Sequence, residues 1–428
     1  MNDAQQNTDN SIPRNNGGPG PQPAEKDSMK HKAVSAPTLK RSMALMFAVS
    51  CGLAVANIYY AQPLLDALAY EFGIGHEYVG LVITITQICY ALGLLLLVPL
   101  GDLLNRRRLI VVQLLLSAAA LLVVAAAPSG ALFMTGMAMV GMLAVVTQVL
   151  VAYAASLASP EERGQVVGWV TSGVVIGILL ARTFAGIMMD LAGWRSVYYV
   201  SSVLTLIMAC MLFRTLPRYD ARKAPLSYLQ LLRSVFALFL QVPVLRVRAA
   251  LAFFIFTAFS ILWTSLVFPL SAPPLSLSHT AIGAFGLAGA AGALAAARAG
   301  RLADRGLGQR TTGIALFLLL LSWLPTGYAV HSLLALIVGV VLLDLAVQAV
   351  HVTNQSMIYS VRPEARSRLT AGYMIFYSIG SAAGSITSTA VYAQAGWTGV
   401  CLLGAAVSAI ALFFWAMTRR TGGRPQNT

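Results

Sequence analysis

Pro160-Glu161-Glu162-Arg163 and Pro363-Glu364-Ala365-Arg366 are two copies of one short motif, 203 positions apart in a chain of 428 residues. Further pairs repeat at the same offset: Gly80 with Gly283, Gly177 with Gly380, and Gly193-Trp194 with Gly396-Trp397. Self-similarity at a fixed offset is the signature of a repeated structural unit. Because the offset is about half of the chain, the sequence predicts two related halves.

The composition places both halves in a membrane. Hydrophobic residues make up 58% of the chain and charged residues only 10%, whereas soluble domains carry about 25% charged residues. A spanning helix needs about 20 apolar residues, and the apolar runs here are continuous rather than alternating, which favours helices over a β-barrel. Twelve such stretches lie near 43–65, 79–100, 109–127, 131–156, 164–187, 196–214, 248–271, 281–300, 311–329, 332–358, 369–392 and 397–418.

We therefore predict an all-α polytopic membrane protein, with twelve transmembrane helices in two pseudo-symmetric six-helix bundles. The predicted domains are a disordered tail at 1–42, bundles at 43–215 and 248–418, a linker at 216–247 and a tail at 419–428. The linker stretch from Ser227 to Leu240 is apolar enough to form a helix on the membrane face. A plain tether is the alternative interpretation of that stretch.

The distribution of basic residues predicts the orientation. The net charge is +14, and 27 of the 29 lysines and arginines fall on one side of the predicted spans. Cytoplasmic loops collect lysine and arginine, so we expect a multi-pass protein of the inner membrane with both termini in the cytoplasm. The basic excess is then a topology signal and does not predict nucleic-acid binding. The cysteines show no metal-ligand spacing, and we expect no metal site.

Two loops carry a further motif at equivalent places in the halves. Gly300-Arg301-Leu302-Ala303-Asp304-Arg305 follows the eighth predicted span, and Leu100-Gly101-Asp102-Leu103-Leu104-Asn105-Arg106-Arg107-Arg108 follows the second. Both resemble the signature loop of the major facilitator superfamily. Leu103 and Asn105 depart from that family's arginine and glycine. The resemblance extends over residues 43–418 and implies two bundles that alternate access to a central site.

The chain most resembles the twelve-span, proton-coupled efflux permeases of that family. This resemblance implies export of a small organic compound, such as a drug, sugar or metabolite, by a monomeric antiporter in the lipid bilayer. In the fifth span, Gly177 is followed by Ile178 where those antiporters carry proline, so an uptake symporter or a uniporter is the alternative. The chain has no phosphate-binding Gly-x-x-x-x-Gly-Lys motif. We expect neither a cofactor nor enzymatic activity, and a membrane sensor is disfavoured.

Four polar residues of the predicted tenth span share one helical face. Asp344, Gln348, His351 and Gln355 are spaced by 4, 3 and 4 residues. Ionisable residues within a span are costly and usually face the bundle interior or water. We predict that this face lines the substrate cavity, and that Asp344 or His351 carries the coupling proton. A satisfied hydrogen-bond network between helices is the alternative.

Other candidates for the cavity lie in the first half. Arg182 stands within the fifth span and needs a carboxylate, carbonyl groups or an anionic substrate. Tyr59 and Gln62 end the first span, which lines the central cavity in similar proteins; an interfacial aromatic belt is the alternative. Gln148 occupies the repeat position of His351, which places it near the cavity by symmetry.

The signature loops are candidates for gating. A carboxylate at a cytoplasmic helix end can hold a neighbouring helix N-terminus or an arginine across the interface between the halves. Asp102 and Asp304 are therefore expected to stabilise one of two states. The basic residues of these loops are further candidates for gating. The alternative for the run of three arginines is that they only fix the topology. They are Arg106, Arg107, Arg108 and Arg305.

Overall fold

The computed structural model describes residues 41–159, 162–217, 227–289, 298–361 and 366–419. Its longer helices are Arg41–Tyr59, Leu65–Phe72, Leu81–Leu96, Arg106–Ala125, Gly130–Leu143, Val146–Leu157, Arg163–Ala192, Trp194–Thr215, Tyr228–Gln241, Pro243–Ser265, His279–Ala284, Gly308–Gly327, Leu333–Tyr359 and Arg366–Thr418. No strand occurs in these ranges. Most of the predicted tails 1–42 and 419–428, the linker segment 218–226 and the side chain of Asp304 lie outside the described residues.

Ten helical segments of the described chain are long and apolar enough to cross a membrane. One of them, Arg368–Thr418, contains 51 residues, which at 1.5 Å per residue is about 75 Å and far exceeds a bilayer of about 30 Å. It bends at Gly396, where φ is +60°, and so forms the eleventh and twelfth spans. The eighth predicted span, 281–300, begins in helix His279–Ala284 but lies partly outside the described residues. The predicted all-α fold is confirmed.

Close backbone contacts hold each half together. In the first half, a Cβ atom on Gly177 would lie 2.3 Å from the carbonyl oxygen of Gly52, and one on Gly173 would lie 2.2 Å from that of Ala48. Only glycine permits the first and fifth spans to approach this closely. Van der Waals contact between such helices replaces the hydrophobic effect as the packing force in lipid.

The two ends of the bundles differ in their connections. We call the end at which Arg41 and Arg106 begin their helices the linker end, because the linker between the halves lies there. The opposite end, where the fifth span ends at Ala192 and His279 begins the eighth, is called the far end.

The linker contains a helix, Tyr228–Gln241, close to the stretch predicted from the sequence. Ser227 starts it with a capping box, in which its hydroxyl accepts a hydrogen bond from the Gln230 amide. Leu231, Val235 and Leu238 are buried on one face, as the spacing of an amphipathic helix requires.

The seventh helix begins at Pro243, earlier than the predicted start at 248. Arg248 therefore lies inside the second bundle, where its side chain is completely buried. Its Nη1 donates hydrogen bonds to Thr312 Oγ1 at 3.0 Å and to Asn354 Oδ1 at 3.2 Å. This residue supports the packing of the bundle and does not belong to the basic linker.

The halves meet closely near the far end. Between the second and eleventh spans, Thr84 Oγ1 donates to Ala382 O at 3.1 Å, and Ser385 Oγ donates to Gly80 O at 3.1 Å. Between the fifth and eighth spans, Thr183 Oγ1 donates to Gly283 O at 3.1 Å. Hydrogen bonds from small hydroxyl side chains to backbone carbonyl groups thus close the far end.

Candidate functional site

Arg182 is the centre of a buried polar cluster between the two halves. Only 2% of its side chain is exposed. Its Nε donates a hydrogen bond to Gln62 Oε1 at 2.9 Å, which links the fifth span to the first. The guanidinium carbon lies 3.8 Å from the ring centroid of Trp263, and 5.3 and 5.4 Å from those of Tyr59 and Phe259. Cation–π contacts of this kind contribute about 2 kcal/mol when they are desolvated.

Asp344 lies on the opposite side of the same cluster. It is 4% exposed, and its Oδ1 accepts a hydrogen bond from Trp263 Nε1 at 3.1 Å. Trp263 therefore contacts Arg182 with its ring face and Asp344 with its edge. The guanidinium nitrogens of Arg182 and the carboxylate oxygens of Asp344 remain farther apart than the 4.0 Å of an ion pair. Two opposite charges thus share one site without direct pairing.

A small void separates these charges. Its volume is about 10 Å³, which is room for about one water molecule. The fifth, seventh, eighth and tenth spans supply its lining: Val175, Ile178, Leu179, Arg182, Phe259, Gly289, Asp344 and Gln348. The site is contracted in this conformation, with walls from both halves.

The remaining candidates of the tenth span lie on successive turns toward the linker end. His351 Nδ1 is 2.9 Å from the hydroxyl oxygen of Tyr373, and its ring packs edge-on against Phe256 at 5.3 Å. Gln355, one turn further, is partly buried. The stripe therefore runs from the void along one face of the helix.

Two candidates of the first half also lie near this centre. The hydroxyl groups of Tyr59 and Tyr377 form a hydrogen bond that joins the first span to the eleventh. Gln148 Nε2 lies 3.5 Å from the hydroxyl oxygen of Tyr90, within the first half. Tyr59 and Gln62 thus connect directly to the charged cluster, whereas Gln148 contacts the second span.

A second charged cluster closes the far end. His279 Nε2 is 3.0 Å from Asp66 Oδ1, and His279 Nδ1 is 3.5 Å from Asp190 Oδ1. Asp190 also accepts the backbone amides of His279 and Thr280, at 3.2 and 2.7 Å. The hydrogen bond with Asp66 raises the pKa of His279, although burial opposes this shift. Two carboxylates of the first half therefore hold the start of the eighth span.

The signature loop after the second span contacts neighbouring elements of the first half. Arg106 Nη2 forms an ion pair with Asp102 Oδ1 at 3.1 Å, and Arg106 Nη1 donates to Ser156 Oγ at 3.0 Å. Arg107 Nε donates to Phe213 O at 3.1 Å. The amide of Arg108 donates to Asn105 at the helix start. In the equivalent loop, Arg305 is exposed.

Sequence reasoning missed three residues of these clusters. Trp263 and Phe259 are apolar or aromatic residues in an apolar span, so nothing in their local pattern marks them. His279 stands just before the predicted eighth span, 281–300, and its partner Asp66 is 213 positions away. An unpaired aspartate at a span end is the one signal that could have prompted a search for a cationic partner.

The fold and this site define a membrane carrier built from two joined bundles. The family model described as Major Facilitator Superfamily matches residues 45–316 and 249–428. The uncharacterized transporter YgaY of Escherichia coli O157:H7 is 50% identical over 377 residues, which cover 88% of this chain and 95% of that protein. The chain belongs to the major facilitator superfamily and is a multi-pass membrane transporter.

Two further comparisons agree with this assignment. The probable transporter SCO4007 of Streptomyces coelicolor is 32% identical over 363 residues, which cover 84% of each chain. A bacterial homolog to the human lysosomal transporter Spinster, solved in an inward-facing and unoccupied conformation, aligns with a TM-score of 0.73. That alignment covers 89% of this chain and 97% of the other at 15% identity, and it shows the shared fold.

Proposed function

We propose that the protein is a proton-coupled secondary active transporter of a small organic compound, working by alternating access. One observation carries the proposal: Arg182 of the first half and Asp344 of the second line a single buried void. Charged residues inside spans mark substrate or proton pathways. A site whose walls belong to separate bundles changes shape when the bundles move.

Asp344 is the proposed proton carrier. It is buried, and it lies near a positive charge with which it forms no ion pair. Protonation would remove a buried negative charge and so change the balance of charge between the halves. His351 lies farther along the same helix as Asp344 and contacts Tyr373 of the eleventh span. It is the alternative proton carrier.

The orientation completes the proposal. The excess of basic residues at the linker end makes that end cytoplasmic, so the far end is the external face of the inner membrane. The conformation described above is then closed to the outside. We further propose that the protein acts as a monomer without catalysing a reaction.

The first direction that we propose is export of the compound in exchange for entering protons, because the chain as a whole resembles efflux permeases. Uptake together with a proton is the second candidate. The observation that favours uptake is Nη2 of Arg182, which has no hydrogen-bond partner among the described residues. A positive charge in the site suits an anion, and an anion can cross the membrane together with a proton.

Transport by purified protein in liposomes tests the proposal. With an imposed pH gradient, we expect at least one compound of a metabolite and drug panel to accumulate, and a protonophore to abolish this accumulation. Asp344→Asn should lose gradient-driven movement but retain exchange of internal for external substrate, because exchange needs no net proton transfer. The orientation of the pH gradient that drives accumulation shows whether the compound moves with the protons or against them.

Arg195→Gln is a matched control, because Arg195 pairs with the partly exposed Glu71 at the far end and lies outside the site. It should transport like the wild type. Movement that is independent of the pH gradient for every compound would refute proton coupling. Unchanged coupling in Asp344→Asn would show that another residue, such as His351, carries the coupling proton.

A further inference from the structure

The charge of the transported compound can be inferred from the same site, and this inference rests on the proposed function. Arg182 brings a permanent positive charge into the protein interior. Its Nε is satisfied by Gln62, but its Nη2 is buried and has no hydrogen-bond partner among the described residues. An unpaired charged donor in such a place is unfavourable. A hydrogen-bond acceptor of a ligand would therefore gain most binding free energy at this nitrogen.

The aromatic residues around Arg182 do not form a cage for a cationic ligand. The ring of Trp263 already lies 3.8 Å from the guanidinium carbon, and Tyr59 and Phe259 flank the same group. A ligand cation would share these ring faces with a like charge. A carboxylate, in contrast, forms short charge-assisted hydrogen bonds with a guanidinium.

The protonation state of Asp344 determines how strongly such an anion binds. An ionised Asp344 and a ligand carboxylate would place two negative charges around the single guanidinium of Arg182. A proton on Asp344 removes this repulsion, and Trp263 Nε1 can still donate to its carbonyl oxygen. An anion and a proton are therefore bound together, whereas a cation would compete with the proton for Asp344.

We propose that the transported compound is a small organic anion whose carboxylate binds Nη2 of Arg182, together with a proton held by Asp344. The anion and the proton then cross the membrane in the same direction, so this inference selects uptake, the second of the two proposed directions, over export against proton entry. Gln348, which also lines the void, offers an amide to the rest of the ligand. Because the void holds only about 10 Å³, the anion enters when the halves separate.

Thermal unfolding of the purified full-length protein tests this proposal with small carboxylates, each matched to its own amide and amine. Benzoate, benzamide and benzylamine form one such set. We expect carboxylates to raise the unfolding temperature while their amides and amines do not. Binding should strengthen as the pH falls, because a protonated Asp344 no longer repels the ligand carboxylate. Arg182→Gln should weaken it by about tenfold to a hundredfold.

Three further variants separate binding from folding. Arg182→Lys keeps the positive charge, so it should bind carboxylates more weakly than the wild type but more strongly than Arg182→Gln. Asp344→Asn, which mimics the protonated state, should bind them without dependence on pH. Arg195→Gln, outside the site, should match the wild type.

Several results would overturn the anion proposal. They are carboxylate binding that survives Arg182→Gln, binding of amines in place of carboxylates, and no carboxylate binding anywhere in the panel. Gradient-driven movement of an amine or neutral compound, lost in Asp344→Asn, would then leave the proposed function standing. Conversely, carboxylates that bind through Arg182 but never move with a pH gradient would refute proton-coupled transport while confirming the anion site.

Discussion

Arg182 shows how a single side chain can keep a buried charge available. Its guanidinium is held by the face of Trp263 and by a hydrogen bond from Nε to Gln62, and Nη2 has no hydrogen-bond partner in the described part of the chain. A direct ion pair with Asp344 would neutralise both groups and would have to be broken for a ligand to bind. Separate aromatic and amide contacts hold the arginine in place without using its charge.

His279 is a second residue whose charge matters, and its effect depends on pH. Asp66 and Asp190 face both of its ring nitrogens, and Asp66 raises its pKa above the usual value of about 6.5. The charged imidazole therefore stabilises the closed far end below about pH 6.5, and this contribution is lost as the pH rises through the raised pKa. We predict a larger closed population at about pH 6 than at about pH 9.

The distance between spin labels at Tyr70 and Leu334, two exposed positions at the far end of different halves, measures this population. His279→Gln should remove the pH dependence. His331→Gln is the control, because His331 is exposed at the same end and faces Tyr328 instead. An equal pH response in wild type and His279→Gln would show that another group controls the closure.

At the scale of elements, the fifth span has two functions along its length. Near the linker end it packs on the first span through Gly173 and Gly177, within one half. Near the far end it meets the eighth span of the other half, where a Cβ on Gly186 would lie 2.1 Å from His279 O. The same helix thus belongs rigidly to one bundle and closes against the other.

We predict that Gly186→Ala hinders closure of the far end, because its methyl group would overlap the backbone of the eighth span. The distance between labels at Tyr70 and Leu334 should lengthen, and transport should slow. Gly168→Ala is the matched control on the same helix, because a Cβ there would meet nothing within 4 Å. Replacing that helical glycine with alanine should raise the free energy of unfolding by only about 0.5–1 kcal/mol. Identical distances in both variants would contradict the role of Gly186.

At the scale of the whole molecule, alternating access requires the halves to move as bodies while each keeps its internal packing. Contacts inside a half include the hydrogen bond from Ser201 Oγ to Asn57 Oδ1, at 2.7 Å. Contacts between halves include the hydrogen bond from Thr84 Oγ1 to Ala382 O, at 3.1 Å. Only contacts of the second kind should break during transport.

Cross-linking distinguishes the two kinds of contact. A disulfide between cysteines introduced as Thr84→Cys and Ala382→Cys should stop transport on oxidation, and a reducing agent should restore it. A disulfide from Asn57→Cys and Ser201→Cys, within the first half, should leave the transport rate roughly unchanged. Continued transport through the oxidised inter-half link would refute movement of the halves at the far end.

Much of the fold could be predicted from the sequence because hydropathy is a local property. A run of about 20 apolar residues must be helical in lipid, and the repeat of Gly193-Trp194 as Gly396-Trp397 marks two equivalent connections. The spacing of Asp344, Gln348 and His351 placed them on one face of a helix. Arg182 was a candidate because an isolated charge within a span needs a partner.

The partners themselves were decided only by the tertiary structure. Trp263 looks like any other aromatic residue of an apolar span, and only the packing of the seventh span against the fifth and tenth places its ring on Arg182 and its Nε1 on Asp344. Likewise, His279 and Asp66 are 213 positions apart. Each helix carries its own polar face in its sequence, but the contacts between faces depend on the angles and heights at which the helices pack.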